Sequence, residues 1–174
     1  MKQYLRLLTS LSLLLIALAG CSGSLQTHSS DMEEKFQTIF PETDMNKSFR
    51  IRVNSNEKNF PMDSKIQLLI NNESSNFISF PSDESHIKLL MDHENEWVEV
   101  KNGMTYSGLL ILSPKGTPLL DFGTTRVKPI LDDFVFSGDK QDKLIRIVMI
   151  GEIMKDDQPT GKLVGAYVDV NMSP

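Results

Sequence analysis

Residues 144–153, LIRIVMIGEI, and residues 163–170, LVGAYVDV, carry the clearest strand pattern in the chain. Side chains of an extended strand point alternately to its two faces. In the first segment one face holds Ile145, Ile147 and Met149, and the other holds Leu144, Val148 and Ile150. Apolar residues on both faces predict a strand that is central in its sheet or buried on both sides. The second segment places Val164, Ala166, Val168 and Val170 on one face, which predicts its hairpin partner.

The same alternation with period two extends upstream to residue 49. It predicts further strands at residues 49–53, 66–70, 77–80, 87–91, 97–100 and 104–112. Asn102-Gly103 lies between two of these segments and favours a tight hairpin turn, because both central residues of that turn need a positive φ. Seven to nine short strands separated by turns predict an all-β domain over residues 46–174, folded as an immunoglobulin-like antiparallel β-sandwich.

The first 21 residues show three regions in order. Lys2 and Arg6 make a basic start, and residues 7–18, LLTSLSLLLIAL, form an apolar run. The run is too short to span a bilayer, which needs roughly 20 apolar residues, and its length suits a secretory signal peptide. Leu18-Ala19-Gly20-Cys21 then resembles the lipobox of bacterial lipoproteins. The resemblance implies that a signal peptidase recognises Leu18, Ala19 and Gly20 and removes residues 1–20, and that Cys21 receives fatty acyl chains such as palmitate.

Lipid on Cys21 predicts a protein that contacts the membrane through its acyl chains and faces outside the cytoplasm. It would lie on the outer face of the plasma membrane or, in a two-membrane cell, on the outer membrane. Removal of residues 1–20 takes away two cations and no acid, so the net charge moves from −5 to −7. This acidity argues against a nucleic-acid partner, which needs clustered Lys and Arg. Because Cys21 is the only cysteine, we expect no internal disulfide.

Residues 21–45 are expected to connect the lipid to the domain. Small polar residues at 22–30 predict a flexible spacer. Residues 31–40 predict a short amphipathic helix with four residues on its apolar side: Met32, Phe36, Ile39 and Phe40. Ser30 and Glu33 have capping-box spacing, and Pro41 would end the helix. The apolar side is expected to dock on the domain, with contact to lipid as the alternative.

The middle of the chain, residues 64–112, has a recognisable layout. An apolar strand ends in Asn71-Asn72, a strand at 77–80 is followed by Pro81, and Trp97 precedes a strand that ends at Leu112 before a Pro-Gly turn. This order is similar to immunoglobulin-like modules of the bacterial intracellular proteinase inhibitor (BsuPI) type. The resemblance supports a sandwich fold, and no inhibitory residue is carried over from it.

Two acidic clusters are candidates for metal binding. The first combines imidazoles and carboxylates: Asp83, Glu84, His86, Asp92, His93, Glu94 and Glu96. It would hold a metal only if a turn folded it together, and the alternative is a solvated strand edge and loop. The second cluster, Asp132, Asp133, Asp139 and Asp142, flanks Phe134-Val135-Phe136 and lacks the ordered ligand spacing of a calcium loop. Trp97, Tyr106 and Tyr167 are expected to be core residues rather than ligand contacts.

Catalytic motifs are absent from the sequence. It contains no His-Glu-x-x-His pair, no Gly-x-Ser-x-Gly elbow and no phosphate-binding glycine loop. We therefore expect a non-catalytic, cofactor-free binding or envelope-accessory module with a protein or other envelope component as its partner. The alternatives are a protease inhibitor, which presents a loop to its target, and a metal-dependent module.

Overall fold

The computed structural model describes residues 24–57, 59–62, 64–105, 109–117, 122–131 and 141–174. The chain divides into two compact units, Met1–Ile39 and Phe40–Pro174. In the first unit the described residues form helix α1, Ser24–Ile39. No helix in the described ranges is both long enough and apolar enough to cross a membrane.

Helix α1 confirms the amphipathic segment and corrects its beginning. Met32 and Phe36, one turn apart, are buried, whereas Ile39 is exposed. The helix ends at Ile39, two residues before Pro41, since the residue before a proline is disfavoured in the helical conformation. It begins at Ser24, so residues 24–30 of the predicted spacer are helical. The capping role of Ser30 is therefore wrong, because Ser30 lies inside the helix. The docking of its apolar side stays a prediction.

The second unit is all-β, with two sheets in the described residues. Its strands are β1 Asp44–Met45, β2 Phe49–Val53, β3 Asn59–Pro61, β4 Ile66–Asn72, β5 Phe77–Phe80, β6 Ile87–His93, β7 Glu96–Asn102, β8 Leu110–Leu112, β9 Phe122–Val127, β10 Pro129–Ile130, β11 Lys143–Lys155 and β12 Gln158–Ser173. A short 3-10 helix, Glu84–His86, precedes β6.

The large sheet has the order β1-β12-β11-β6-β7-β10. Three further strands join this path: β3 pairs with β12, and β5 pairs with β11 and with β8. Strand β11 is central, with β12 on one side and β6 on the other. Ile145, Ile147 and Met149 are buried on one face and Val148 on the other. The predicted central strand and its hairpin partner are therefore confirmed.

The small sheet has the order β2-β4-β9, and all its pairs are antiparallel. Its inward side chains, among them Ile66, Leu68 and Ile70 of β4, join those of β6, β11 and β12 in one buried cluster. The core thus lies between the two sheets, as expected for a sandwich-like fold.

The structure differs from the prediction in its strand count and pairing. Twelve strands occur in the described ranges instead of seven to nine, and β1 and β3 run parallel to β12. Of the predicted strand 104–112, only β8 is a strand among the described residues.

The predicted hairpin at Asn102-Gly103 is wrong. Asn102 ends β7, and β7 pairs with β10 rather than with the residues that follow the turn. The side-chain Oδ1 of Asn102 accepts hydrogen bonds from the backbone N–H groups of Met104 and Lys128, at 3.1 and 3.0 Å. A side chain that bonds to its own backbone two residues on forms a local Asx turn, which competes with the hairpin geometry.

The tight turns of the large sheet lie elsewhere. Glu94 and Asn95 join β6 to β7 with φ values of 52° and 67°. Asp156 and Asp157 join β11 to β12 with φ values of 49° and 60°. Two consecutive positive φ values are the signature of the two-residue turn that matches strand twist.

Candidate functional site

The outer face of the large sheet, the face directed away from the core, carries the polar and exposed groups that we consider as a site. Directly opposite residues in an antiparallel pair share a face. Arg146 of β11 is therefore flanked by Asp169 of β12 and Leu90 of β6, which are its register partners. In the next row, Val148 is flanked by Tyr167 and Lys88.

Arg146 is a buried cation on this face, with only 7% of its surface exposed. Its Nε and Nη2 atoms donate to the two carboxylate oxygens of Asp169 at 2.8 and 2.9 Å. Its guanidinium carbon lies 4.0 Å from the ring centre of Tyr167 and 4.7 Å from that of Trp97. The bidentate ion pair with Asp169 and the two aromatic rings together stabilise the buried charge, because the planar guanidinium group can bind a carboxylate at its edge and aromatic rings on its faces.

This arrangement corrects the core assignment of two aromatic residues. Trp97 and Tyr167 are half-buried on the outer face and are not members of the buried core. The register explains Trp97, because it pairs with Asp92 on the face opposite to Met91 and Val98. The sequence analysis did not single out Arg146. The residue could have been recognised as a cation inside an otherwise apolar strand. Tyr106 lies outside the described residues.

Three exposed apolar side chains lie on the same face at the other end of the sheet. Phe77 of β5, Ile111 of β8 and Leu163 of β12 are 45%, 47% and 39% exposed. The register aligns them around Glu152, which pairs with both Leu163 and Ser79, while Ser79 pairs with Ile111. We call these three residues the apolar patch. Large exposed apolar groups that share one face are typical of contact surfaces.

A depression of about 230 Å³ lies at the start of the β6–β7 pair on the large sheet. Among its lining residues are Ser85, Lys88, Glu99, Lys101 and Asn102. The ammonium group of Lys88 lies 2.8 Å from a carboxylate oxygen of Glu99. Charged side chains therefore meet here in a concave part of an otherwise acidic protein.

The first candidate metal cluster does not assemble. His86 precedes β6 and His93 ends it, so the strand separates them by about 20 Å at the usual rise per residue. Glu94 belongs to the turn after β6, and Glu96 pairs with His93 at that far end. No group of three or more His, Cys, Asp or Glu side chains in the described part of the chain is placed to hold a metal ion.

His86 instead has a structural environment. It is buried, its ring Nδ1 donates to the backbone carbonyl of Asp83, and its ring lies against that of Phe80. Burial lowers the pKa of His86 below its ordinary value of 6.5, since the charged form loses hydration. Hydrogen bonds from the hydroxyl and the backbone N–H of Ser85 lower the pKa of the Asp83 carboxyl.

Other predicted positions fall outside the described residues. These are the lipobox residues Leu18, Ala19, Gly20 and Cys21, the acids Asp132, Asp133 and Asp139, and the segment 134–136. Asp142, the last member of the second acidic cluster, is exposed just before β11. The second cluster is therefore a prediction that the described residues do not address.

Asn72 is a buried polar residue that sequence reasoning did not single out. Its side chain is 0% exposed at the end of β4. Its Nδ2 donates to the carbonyls of Asn76 and Ser113, both at 2.8 Å. Its Oδ1 accepts from the backbone N–H and the hydroxyl of Ser74, at 2.9 and 2.8 Å. The available signal was its position, because it continues the inward series of residues 66, 68 and 70.

These features define the class of the protein as an all-β, two-sheet, sandwich-like domain without an assembled metal cluster in its described residues. No protein-family model matches the chain, and no curated protein matches it. Among solved structures it is similar to Spo0M, a sporulation control protein from Bacillus subtilis, at 10% sequence identity and a TM-score of 0.39. The match covers 73% of this chain and 50% of that one, so the chain spans about half the length of Spo0M.

Proposed function

We propose that this chain is a bacterial lipoprotein, anchored by lipid on Cys21, whose β-domain is a non-catalytic binding or accessory module of the cell envelope. The observation that carries the proposal is the order of the basic start, the apolar run and Leu18-Ala19-Gly20-Cys21. Two or more acyl chains suffice for stable anchoring, and the acidic sequence argues against a polybasic contact with lipid that would add to it. The domain would lie outside the cytoplasm, on the plasma membrane or the outer membrane.

The outer face of the large sheet supports a binding role over a catalytic one. A catalytic site needs a nucleophile, acid or base whose reactivity is tuned and accessible. Arg146, the most prominent charged group here, is instead fully engaged by Asp169, Tyr167 and Trp97. The apolar patch adds exposed surface of the kind that protein partners cover.

The two alternative functions now differ in their support. The metal-dependent module loses the first of its two candidate donor sets, because β6 separates His86 from His93. Protease inhibition rests only on the resemblance of residues 64–112 to BsuPI-type modules, from which no inhibitory residue is carried over. A protease inhibitor would form a one-to-one complex with a protease and block its activity, whereas an accessory module would do neither.

The lipoprotein proposal is tested by intact mass and membrane fractionation of the expressed chain beside a Cys21→Ala variant. We expect the native protein to lose residues 1–20, to gain acyl mass and to sediment with membranes. The variant should keep its N-terminus and gain no acyl mass. If the native protein also keeps residues 1–20 without acyl mass, the anchor and the envelope location are both wrong. A Ser22→Ala variant serves as the matched control, since it changes the adjacent residue and preserves the thiol.

A further inference from the structure

The register of β6 and β7 determines which residues form the floor of the depression and which form its walls. Leu89 pairs with Val100, and both belong to the core, so these residues contribute mainly backbone to the floor. Lys88, Glu99 and Lys101 alternate with them and therefore project from the outer face as walls. The depression is thus a charged basin above a peptide floor.

Two lysines face each other across this basin. The antiparallel register pairs Leu90 with Glu99 and Leu89 with Val100, and its extension by one position sets Lys88 opposite Lys101. Cross-strand partners have Cβ atoms about 5 Å apart, and like charges at that spacing repel. Val148 flanks Lys88 and Ile130 flanks Lys101, so the lysine pair stands between apolar neighbours.

Only one of the two ammonium groups is compensated within the described chain. Glu99 binds Lys88 at 2.8 Å, and no ion pair joins Lys101 to any described carboxylate. The basin therefore carries a net positive charge, from two lysines and one glutamate, on a chain whose net charge is −5. On an otherwise acidic protein, such a positive basin attracts an anion, because the electrostatic energy of the anion is lower there than over the surrounding surface.

We propose that this basin binds a small molecule through a carboxylate or phosphate group, with Lys101 as the primary contact and Lys88 as the second. The oxyanion relieves the repulsion between the two lysines, and Glu99 competes with it for Lys88. A volume of about 230 Å³ is enough for a small organic acid or phosphate ester. The proposal names a ligand class for the binding role above and does not depend on the lipid anchor.

The test titrates the full-length ¹⁵N-labelled chain in neutral detergent with inorganic phosphate in one arm and acetate in the other, at constant ionic strength. We expect saturable shifts of the backbone amide signals of Lys88, Glu99 and Lys101. Lys101→Gln should weaken the affinity about tenfold, since it removes one charge-assisted hydrogen bond. Glu99→Gln should strengthen the affinity up to about fivefold, because it releases Lys88 from an exposed ion pair.

Lys65→Gln is the matched control, because it makes the same charge change at an exposed residue just before β4. It should leave the affinity unchanged. Saturation in either arm with opposite responses of the two basin variants supports the proposal, and the tighter arm identifies the preferred oxyanion. The proposal is overturned if neither anion saturates, if Lys65→Gln weakens binding as much as Lys101→Gln, or if Glu99→Gln fails to strengthen it. These results are separate from the membrane fractionation, so either hypothesis can fail alone.

Discussion

Replacement of Asn72 by Ala is expected to be among the most damaging single changes in the β-domain. Asn72 makes four strong hydrogen bonds, two from Nδ2 and two to Oδ1, while its side chain is inaccessible to solvent. These bonds join the end of β4 to the turn before β5 and to Ser113 after β8. An alanine therefore removes the donor to the Ser113 carbonyl and the acceptor for the Ser74 N–H, while the Asn76 carbonyl keeps its bond from the Ser74 hydroxyl.

The magnitude follows from where those backbone groups lie. Each intramolecular hydrogen bond contributes about 1 kcal/mol net, and a buried group left unpaired costs about 1–3 kcal/mol. Ser113 is buried, so water does not replace its lost donor, whereas Asn76 is exposed and can be rehydrated. We therefore expect Asn72→Ala to lower the free energy of unfolding by about 3 kcal/mol. For a domain of this size that is a fall in Tm of roughly 10 °C.

The assay is urea unfolding of the full-length chain in neutral detergent, followed by the fluorescence of Trp97, the only tryptophan. Asn71→Ala is the matched control, because Asn71 is the preceding residue of β4 and points to the outer face of the small sheet. It should cost no more than about 0.5 kcal/mol. A loss for Asn72→Ala that is no larger than the loss for the control would refute the argument that this hydrogen-bond network stabilises the fold.

Three further outcomes follow from the structure. Asp169→Asn leaves buried Arg146 without its carboxylate partner and should lower the free energy of unfolding in urea by about 2–3 kcal/mol. Glu73→Gln breaks the exposed pair with Arg50 and, as the control, should lower it by less than about 1 kcal/mol. Burial lowers the pKa of His86 below 6.5, so the contribution of this residue to stability is complete above pH 6.5 and declines as the pH falls below that value. The wild-type free energy of unfolding should therefore fall between about pH 7 and 5, and His86→Gln should make that fall smaller. An unchanged pH slope in the variant would contradict the burial argument. Gly151→Ala places a Cβ 2.7 Å from a methyl group of Ile78, so calorimetry should show a destabilisation of about 1–3 kcal/mol, and a stabilised variant would show that the core has room there.

Local periodicity was sufficient for most of the strands. The alternation at residues 49–53, 66–70, 77–80 and 87–91 predicted β2, β4, β5 and β6 within two residues at each end. Strand β11 was also predicted as central, because apolar residues on both faces are stable only where both faces are covered. These elements are local in origin, since the identity of each strand depends on neighbouring residues alone.

The pairing of the strands and the environment of their side chains were harder to predict from the sequence. Asn102-Gly103 favours a hairpin by its residue types, yet Asn102 pairs with Pro129, 27 positions away, and Lys128 donates to its side chain. Glu94-Asn95 has weaker turn residues and still forms the tight turn, because the antiparallel pairing of β6 with β7 places it there. Trp97 was assigned to the core because a lone tryptophan in a strand is usually buried, and its true face depended on the register.

The sequence alone determined the all-β class, the central strand and the amphipathic helix over residues 31–39, because each depends on a short repeating pattern of polar and apolar residues. Only the tertiary structure decided which residues meet. It brought Asp169 and Tyr167 to Arg146 and placed Lys88 and Lys101 around one depression, and it separated His86 from His93 along β6. Register causes this division, since a shift of one residue moves every side chain of a strand to the other face. Long-range packing selects the register, and the pattern within a single strand does not contain it.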